Sequence, residues 1–148
     1  MKVVEIEAPG ERSRLCEGVL RDLPDWFGIE EATVAYLTGV ADLPTFAVGE
    51  DAILSLKLHT ARAAEIYVMG VRRARHGQGL GTALVETAET YLRERGFEYL
   101  QVKTLGPSDP DAGYAATRAF YEARGFVALE ELHDLWEGNP CLLMVKRL

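Results

Sequence analysis

The segment with the clearest chemical character is a turn with glycines at alternate positions: Gly77, Gly79 and Gly81. Glycines let a backbone approach a ligand closely, and a helix that begins here directs its free N–H groups and the positive end of its dipole at the turn. Basic side chains are concentrated just before these glycines: Arg72, Arg73, Arg75 and His76. The segment is therefore typical of a site for a ligand that carries several phosphates.

Two common phosphate-binding motifs do not fit this turn. A P-loop has a lysine before its Ser or Thr, whereas Thr82 directly follows Gly81. The dinucleotide fingerprint is closer, because Glu98 lies roughly 20 residues downstream, where that motif places an acidic residue. Its glycines are spaced G-x-G-x-x-G, however, and this turn reads G-x-G-x-G. A solvated surface turn would explain neither the glycines nor the local positive charge.

Two sequence blocks resemble one known family. Residues 76–81, His-Gly-Gln-Gly-Leu-Gly, are similar to the acetyl-CoA signature Gln/Arg-x-x-Gly-x-Gly/Ala of the GNAT superfamily of N-acetyltransferases. Residues 119–126, Ala-Phe-Tyr-Glu-Ala-Arg-Gly-Phe, resemble the family's later F-Y-E-x-x-G-F helix end. His76 replaces the usual Arg or Gln, Tyr114 stands where many members have Asn, and the 107–111 loop is longer than usual.

The resemblance implies direct transfer of an acetyl group from acetyl-CoA, a co-substrate, to a primary amine. It assigns acetyl-CoA binding to Met69, Gly70, Val71, His76, Gly77, Gln78, Gly79, Leu80, Gly81, Thr82, Tyr114 and Tyr121. Such a reaction needs a base for the amine, a donor to the oxyanion and an acid for the thiolate. A β-bulge at Gly70 would free a backbone N–H for the oxyanion.

Tyr121 is predicted to be the acid, because the matching tyrosine of the family lies beside the CoA sulfur. Tyr114, Thr117 and Tyr121 recur at helical spacing and form a polar-tipped stripe. A separate apolar stripe is predicted to be the core face of the same helix: Ala116, Ala119, Phe120 and Ala123. The alternative is that the Tyr121 hydroxyl only satisfies a buried carbonyl.

Glu65 is predicted to be the base, directly or through a water. It stands at the distance before the glycines where histone-modifying members of the family have their catalytic glutamate. We place it at the start of the fourth strand, on the same face as Tyr67 and Met69, where burial would make it a better base. A solvated glutamate at a strand end is the alternative.

Hydrophobic periodicity predicts one mixed α/β domain over residues 1–148, with the order β-α-α-β-β-β-α-β-α-β-β. This order matches the GNAT fold: a mixed, mostly antiparallel central sheet of about seven strands flanked by four helices. Strands are predicted at residues 4–7, 45–48, 53–58, 66–71, 97–104, 127–129 and 141–145. Helical stripes cover residues 9–27, 34–40, 80–95 and 116–124, with Gly96 and Gly125 as C-terminal stops.

Composition narrows the class of protein further. A net charge of -7 disfavours general binding to nucleic acid or to anionic membranes. No uncharged stretch is long enough to span a bilayer, and the first residues lack a secretory pattern, so we expect a cytoplasmic protein. Cys16 and Cys141 are far apart and in no metal-ligand spacing; we expect free thiols and no metal site.

The function predicted from these residues is N-acetylation of a small-molecule or peptide amine. The alternative is an acyl-CoA-binding or sensing module of the same fold without turnover, and a nicotinamide-binding protein is a distant third. The first two helices and the last strand pair would form the acceptor pocket, with these residues available: Trp26, Phe27, Tyr36, His133, Trp136 and Asn139. Their aromatic members would alternatively form a homodimer contact.

Overall fold

The computed structural model describes residues 1–148 as seven strands and four α-helices in the predicted order. The strands are β1 Val4–Ile6, β2 Thr45–Val48, β3 Ala52–Leu58, β4 Ala63–Val71, β5 Tyr99–Leu105, β6 Val127–Trp136 and β7 Asn139–Arg147. The helices are α1 Pro9–Arg21, α2 Glu30–Val40, α3 Leu80–Glu94 and α4 Ala112–Ala123, and a single 3-10 turn covers Arg73–Arg75. None of the helices has the length and apolar character needed to cross a membrane.

The strands form one mixed sheet with the order β1-β2-β3-β4-β5-β7-β6. The first four strands pair in antiparallel fashion in chain order, and β5 pairs with β4 in parallel. This parallel pairing covers only Ala63–Ile66 of β4 and Tyr99–Val102 of β5. Beyond those residues the two strands separate. We call the opening between their unpaired ends the gap.

The two faces of the sheet have separate hydrophobic cores. Leu84 of α3 and Tyr121 of α4 pack in the larger core with Ile66 of β4. Val19 of α1 and Val40 of α2 belong to the smaller core on the opposite face. Because strand side chains alternate between faces, one strand can serve both cores. At the gap, a ligand has access to both faces of the sheet.

An irregularity in β4 changes which face its side chains reach. Ser55 pairs with Val68 but Leu56 pairs with Ile66, so Tyr67 is an extra residue in a β-bulge. The bulge reverses the alternation, and Met69 therefore packs with the α3 side whereas Tyr67 packs with the α1 side. The prediction that Glu65, Tyr67 and Met69 share one face is wrong for Met69.

The predicted bulge at Gly70 is also wrong, because Gly70 pairs in register with Ile53. Its lack of a side chain has a packing reason instead. A Cβ at this position would lie 2.9 Å from Val19 Cγ1 and 3.2 Å from Leu23 Cδ1. Gly70 thus lets α1 lie close to the C-terminal end of β4.

The predicted core face of α4 is wrong in its main members. Ala116, Ala119 and Ala123 are exposed and Phe120 is half-buried, whereas Tyr121 is buried. The helix turns its polar-tipped stripe inward, because burying one tyrosine ring removes more apolar surface from water than burying several alanine methyl groups. The stripe predicted to meet a ligand is therefore also the one that packs.

Element boundaries differ from the predictions at several places. Helix α1 ends at Arg21, short of the predicted Phe27, since Pro24 disfavours helical backbone before it. Strand β4 begins at Ala63, so Glu65 is an interior residue of the strand and not its first. Strand β6 is ten residues long because pairing with β7, and not an apolar pattern, holds it. Both cysteines are free and buried, as expected.

Candidate active site

A cleft of about 1140 Å³ follows the gap across the sheet. Most residues predicted to bind acetyl-CoA line it: Met69, Gly70, Val71, His76, Gly77, Gly79, Leu80, Gly81, Thr82, Tyr114 and Tyr121. Gln78 does not, because its side chain bonds to Arg75 and to the carbonyl of Ala74. Parts of both faces of the sheet and the β6–β7 turn complete the walls. The fold therefore collects one contiguous site from distant parts of the chain.

The glycine turn, residues 76–81, presents unoccupied donors at one end of this cleft. No backbone N–H from residue 77 to residue 82 makes a hydrogen bond within the chain. Gly77 has φ 76° and Gly79, the N-cap of α3, has φ 83°, and no side chain caps the helix. These are left-handed conformations that favour glycine. A row of free N–H groups at a helix N-terminus is suited to bind a phosphate.

The basic side chains before the turn contribute less than the sequence indicates. Arg72 Nε donates to the carbonyl of Glu50, and Arg73 forms an ion pair with Asp25. Neither arginine lines the cleft. Arg75 does line it, but Arg75 forms an ion pair with Asp51. Backbone donors, and not arginine side chains, are therefore the main groups available to an anion here.

Tyr121 projects from α4 into the larger core and reaches the cleft. Its side chain is 5% exposed, and its ring packs edge-on between Phe120 and Phe126 at centroid distances of 5.4 and 5.5 Å. The hydroxyl makes no hydrogen bond to any carbonyl of the chain, in contrast to the Tyr114 hydroxyl, which donates to the carbonyl of Trp26 at 3.0 Å. Burial raises the pKa of Tyr121, so the hydroxyl keeps its proton. Its role as the acid stays a prediction.

Glu65 is buried, with 7% exposure, and is not a solvated strand-end residue. Its Oε1 lies 2.6 Å from His59 Nε2, 3.2 Å from Gln101 Nε2 and 3.3 Å from Lys103 Nζ. Its Oε2 has no hydrogen-bond partner in the chain. The carboxylate is thus held in place through one oxygen and available through the other.

Glu65 lines a smaller space of about 180 Å³, which we call the side chamber. The residues around it are Tyr36, Lys57, Glu65, Tyr67, Lys103 and Trp136. Tyr36, Tyr67, Lys103 and Trp136 also line the main cleft, so the chamber adjoins it. Glu65 and Tyr121 lie on opposite faces of the sheet, since Glu65 alternates with Ala64 and Ile66 of the Tyr121 core.

Sequence reasoning did not assign a role to several of these residues. Lys57, His59, Gln101 and Lys103 belong to no motif. Their contacts follow from strand register: Glu65 lies between Lys57 on β3 and Gln101 on β5. Residue types alone contain no signal for this pairing.

The predicted acceptor residues mostly meet at the cleft. Trp26, Phe27, Tyr36, Trp136 and Asn139 line it. His133 does not line the cleft. It is exposed, and its Nε2 lies 3.6 Å from Glu131 Oε1.

Comparison with known proteins agrees with this architecture. Residues 13–126 match the model of the Acetyltransferase (GNAT) family. A mycothiol acetyltransferase from Beutenbergia cavernae is 38% identical over 81 residues, which is 53% of this chain and 25% of that protein. The chain thus spans no more than about a quarter of that relative's length.

Two solved structures share the fold over nearly the whole chain. A GNAT-family structure from Desulfovibrio desulfuricans has a TM-score of 0.82 at 19% identity and covers 99% of this chain and 98% of that one. An aminoglycoside 6'-N-acetyltransferase in complex with coenzyme A has a TM-score of 0.74 at 16% identity. The likeness covers 99% of this chain and 97% of that one. The family match and the shared fold lead to one conclusion: this chain belongs to the GNAT family of acetyltransferases.

Proposed function

We propose that this chain transfers the acetyl group of acetyl-CoA to the primary amine of a small molecule or peptide. The observation that carries the proposal is the row of free N–H groups at residues 77–82, open to a cleft that continues through the gap. Membership of the GNAT family supports it. So does the likeness to a structure solved with coenzyme A and to a mycothiol acetyltransferase.

The glycine turn is proposed to hold the pyrophosphate of acetyl-CoA. The pantetheine arm would then extend along the edge of β4 that β5 leaves unpaired, beside Met69 and Gly70. An extended ligand with amide groups can bond to such an edge as an added strand does. The acetyl thioester would reach the centre of the gap, between the Tyr121 side and the Glu65 side.

The proposed reaction is a direct displacement. The amine loses its proton to Glu65 Oε2, directly or through a water, and its lone pair forms the new N–C bond at the thioester carbonyl. The C–S bond breaks with its electron pair on sulfur, and the thiolate takes the proton of Tyr121. Backbone N–H groups at the edge of β4 would stabilise the oxyanion. Tyr121 lines the main cleft and Glu65 lines the adjoining side chamber, which supports these roles.

A coupled binding and turnover assay tests this proposal. CoA binding is measured by calorimetry, and thiol release from acetyl-CoA is measured with a panel of primary amines. We expect binding of CoA and release that depends on the amine. Binding without release for any amine would instead favour an acyl-CoA sensor. A thermal shift with NAD but none with acetyl-CoA would favour a nicotinamide-binding protein.

We further propose that the chain acts in the cytoplasm. Cys16 and Cys141 are buried free thiols, and burial raises the pKa of both, to about 12 for Cys16. Reduced, unreactive thiols are typical of cytoplasmic proteins. Fractionation of the source cells tests this, and recovery outside the cytoplasm would contradict it.

A further inference from the structure

The side chamber carries positive charge within an acidic protein. Lys57 lies on β3 as the register partner of Glu65, and Lys103 on β5 lies 3.3 Å from the Glu65 carboxylate. Lys57 makes no hydrogen bond and no ion pair within the chain. The chamber therefore contains two ammonium groups and one carboxylate, whereas the whole chain has a net charge of -7.

The free ammonium group of Lys57 is exposed and lies beside an aromatic wall. Its Nζ lies 5.9 Å from the centroid of the Tyr67 ring, which meets the Tyr36 ring edge-on at 5.3 Å. Helix α2 fixes that ring, because a Cβ at Gly39 would lie 2.7 Å from the Tyr67 hydroxyl. Trp136 completes the wall. An apolar wall lowers the local dielectric and so strengthens the attraction of Lys57 for an anion.

The chamber has room for a small group only. Its volume is about 180 Å³. A carboxylate with a few carbon atoms fits such a space, whereas a drug-sized molecule needs roughly 300 Å³ or more. The rest of the acceptor must lie in the adjoining cleft.

We propose that the acceptor is a compound of the amino-acid class, with a carboxylate close to the amine that is acetylated. This inference rests on the proposed function. Lys57 binds the carboxylate of the acceptor, and Glu65 Oε2 receives the proton of its amine. Lys57 and Glu65 are directly opposite on neighbouring strands, so their side chains lie on the same face of the sheet and can bind the two charged groups of one small compound.

The same charges disfavour polycationic amines. A second ammonium group on the acceptor would meet Lys57 and Lys103, and like charges at this range repel. Glu137 also lines the cleft but does not line the chamber. The local charge, and not the net charge of the chain, therefore selects the acceptor.

The test compares α-amino acids with their α-amides, for example phenylalanine with phenylalaninamide and methionine with methioninamide. For each pair, kcat/KM is measured with wild type and with Lys57→Met. Within one enzyme, the ratio of kcat/KM for the acid to kcat/KM for the amide also reflects the different basicity of the two amines. Because the amines are the same for both enzymes, this contribution cancels when the ratio of wild type is compared with that of Lys57→Met. We expect Lys57→Met to lower the acid-to-amide ratio by about tenfold or more.

Two further variants complete the experiment. Lys57→Glu should lower the ratio further, because it replaces attraction of the carboxylate by repulsion. Arg147→Met removes one positive charge from an exposed site outside both spaces and should leave the ratio unchanged. An acid-to-amide ratio that is the same in wild type and both Lys57 variants would overturn the inference. Absence of acetylation for every amine, with CoA bound, would instead overturn the proposed function.

Discussion

The two sides of the gap are built by different means. On the glycine-turn side, the ligand-facing groups are backbone N–H groups of one short segment, residues 77–82. On the side-chamber side they are side chains from α2, β3, β4, β5 and β6. A backbone site depends on local conformation, whereas a side-chain site depends on which strands are neighbours and in which register. The first type suits a ligand common to a family, and the second can vary with the acceptor.

The largest expected effect is on the glycine-turn side. Gly79→Glu should abolish CoA binding, a loss of more than about 100-fold in affinity, because it strains a left-handed residue and places a negative charge among the N–H donors. Gly96→Glu is the matched control: Gly96 has φ +82° at the end of α3, far from the cleft, and nothing lies within 4 Å of its Cβ position. Calorimetry measures both. Normal CoA affinity in Gly79→Glu would place the pyrophosphate elsewhere.

Tyr121→Phe tests the chemistry on the same side without disturbing binding. We expect kcat to fall by about 10²-fold, with CoA affinity within about twofold of wild type, because only the proton donor is lost. Tyr99→Phe removes a hydroxyl from an exposed residue outside the cleft and should have no effect. Steady-state kinetics and calorimetry separate the two quantities. Unchanged kcat in Tyr121→Phe would remove this residue from the mechanism.

Glu65→Gln tests the opposite side. It keeps the size of the side chain but cannot accept the amine proton, so we expect kcat to fall by about tenfold to 10²-fold and CoA affinity to stay the same. The loss should be smaller at high pH, where more of the amine is already deprotonated. Glu98→Gln, which changes a half-buried glutamate that is paired with Arg62 and lies outside both spaces, serves as the control. An equal loss of CoA affinity in Glu65→Gln would show that the two sides are not separable.

Trp136→Ala should have the smallest of these effects. It removes one wall of the side chamber, so we expect KM for the acceptor to rise by about tenfold while CoA affinity and kcat change little. Val127→Ala truncates an exposed apolar side chain on the same strand and provides the control. Kinetics at saturating acetyl-CoA measure the change. If KM is unaffected, the acceptor does not contact this wall.

Sequence patterns predicted the fold well where signals are local. The order of elements, the mostly antiparallel sheet and the glycine stops at Gly96 and Gly125 follow from periodicity and turn residues. The ends of β6 could not be predicted in this way, because β6 is held by hydrogen bonds to β7 and not by an apolar pattern. The predicted core face of α4 is wrong because burying a tyrosine ring removes more apolar surface from water than burying an alanine methyl group.

The glycine turn is the part of the site that the sequence by itself determined. Its conformation needs glycines, its donors are those of a helix N-terminus, and both are encoded within a few consecutive residues. Only the tertiary structure decided the rest. Because Tyr67 is an extra residue in the bulge of β4, Met69 lies on one face of the sheet and Glu65 lies on the other, beside Lys57. Register and bulges arise from pairing between strands, and pairing energy depends on partners that are distant in sequence.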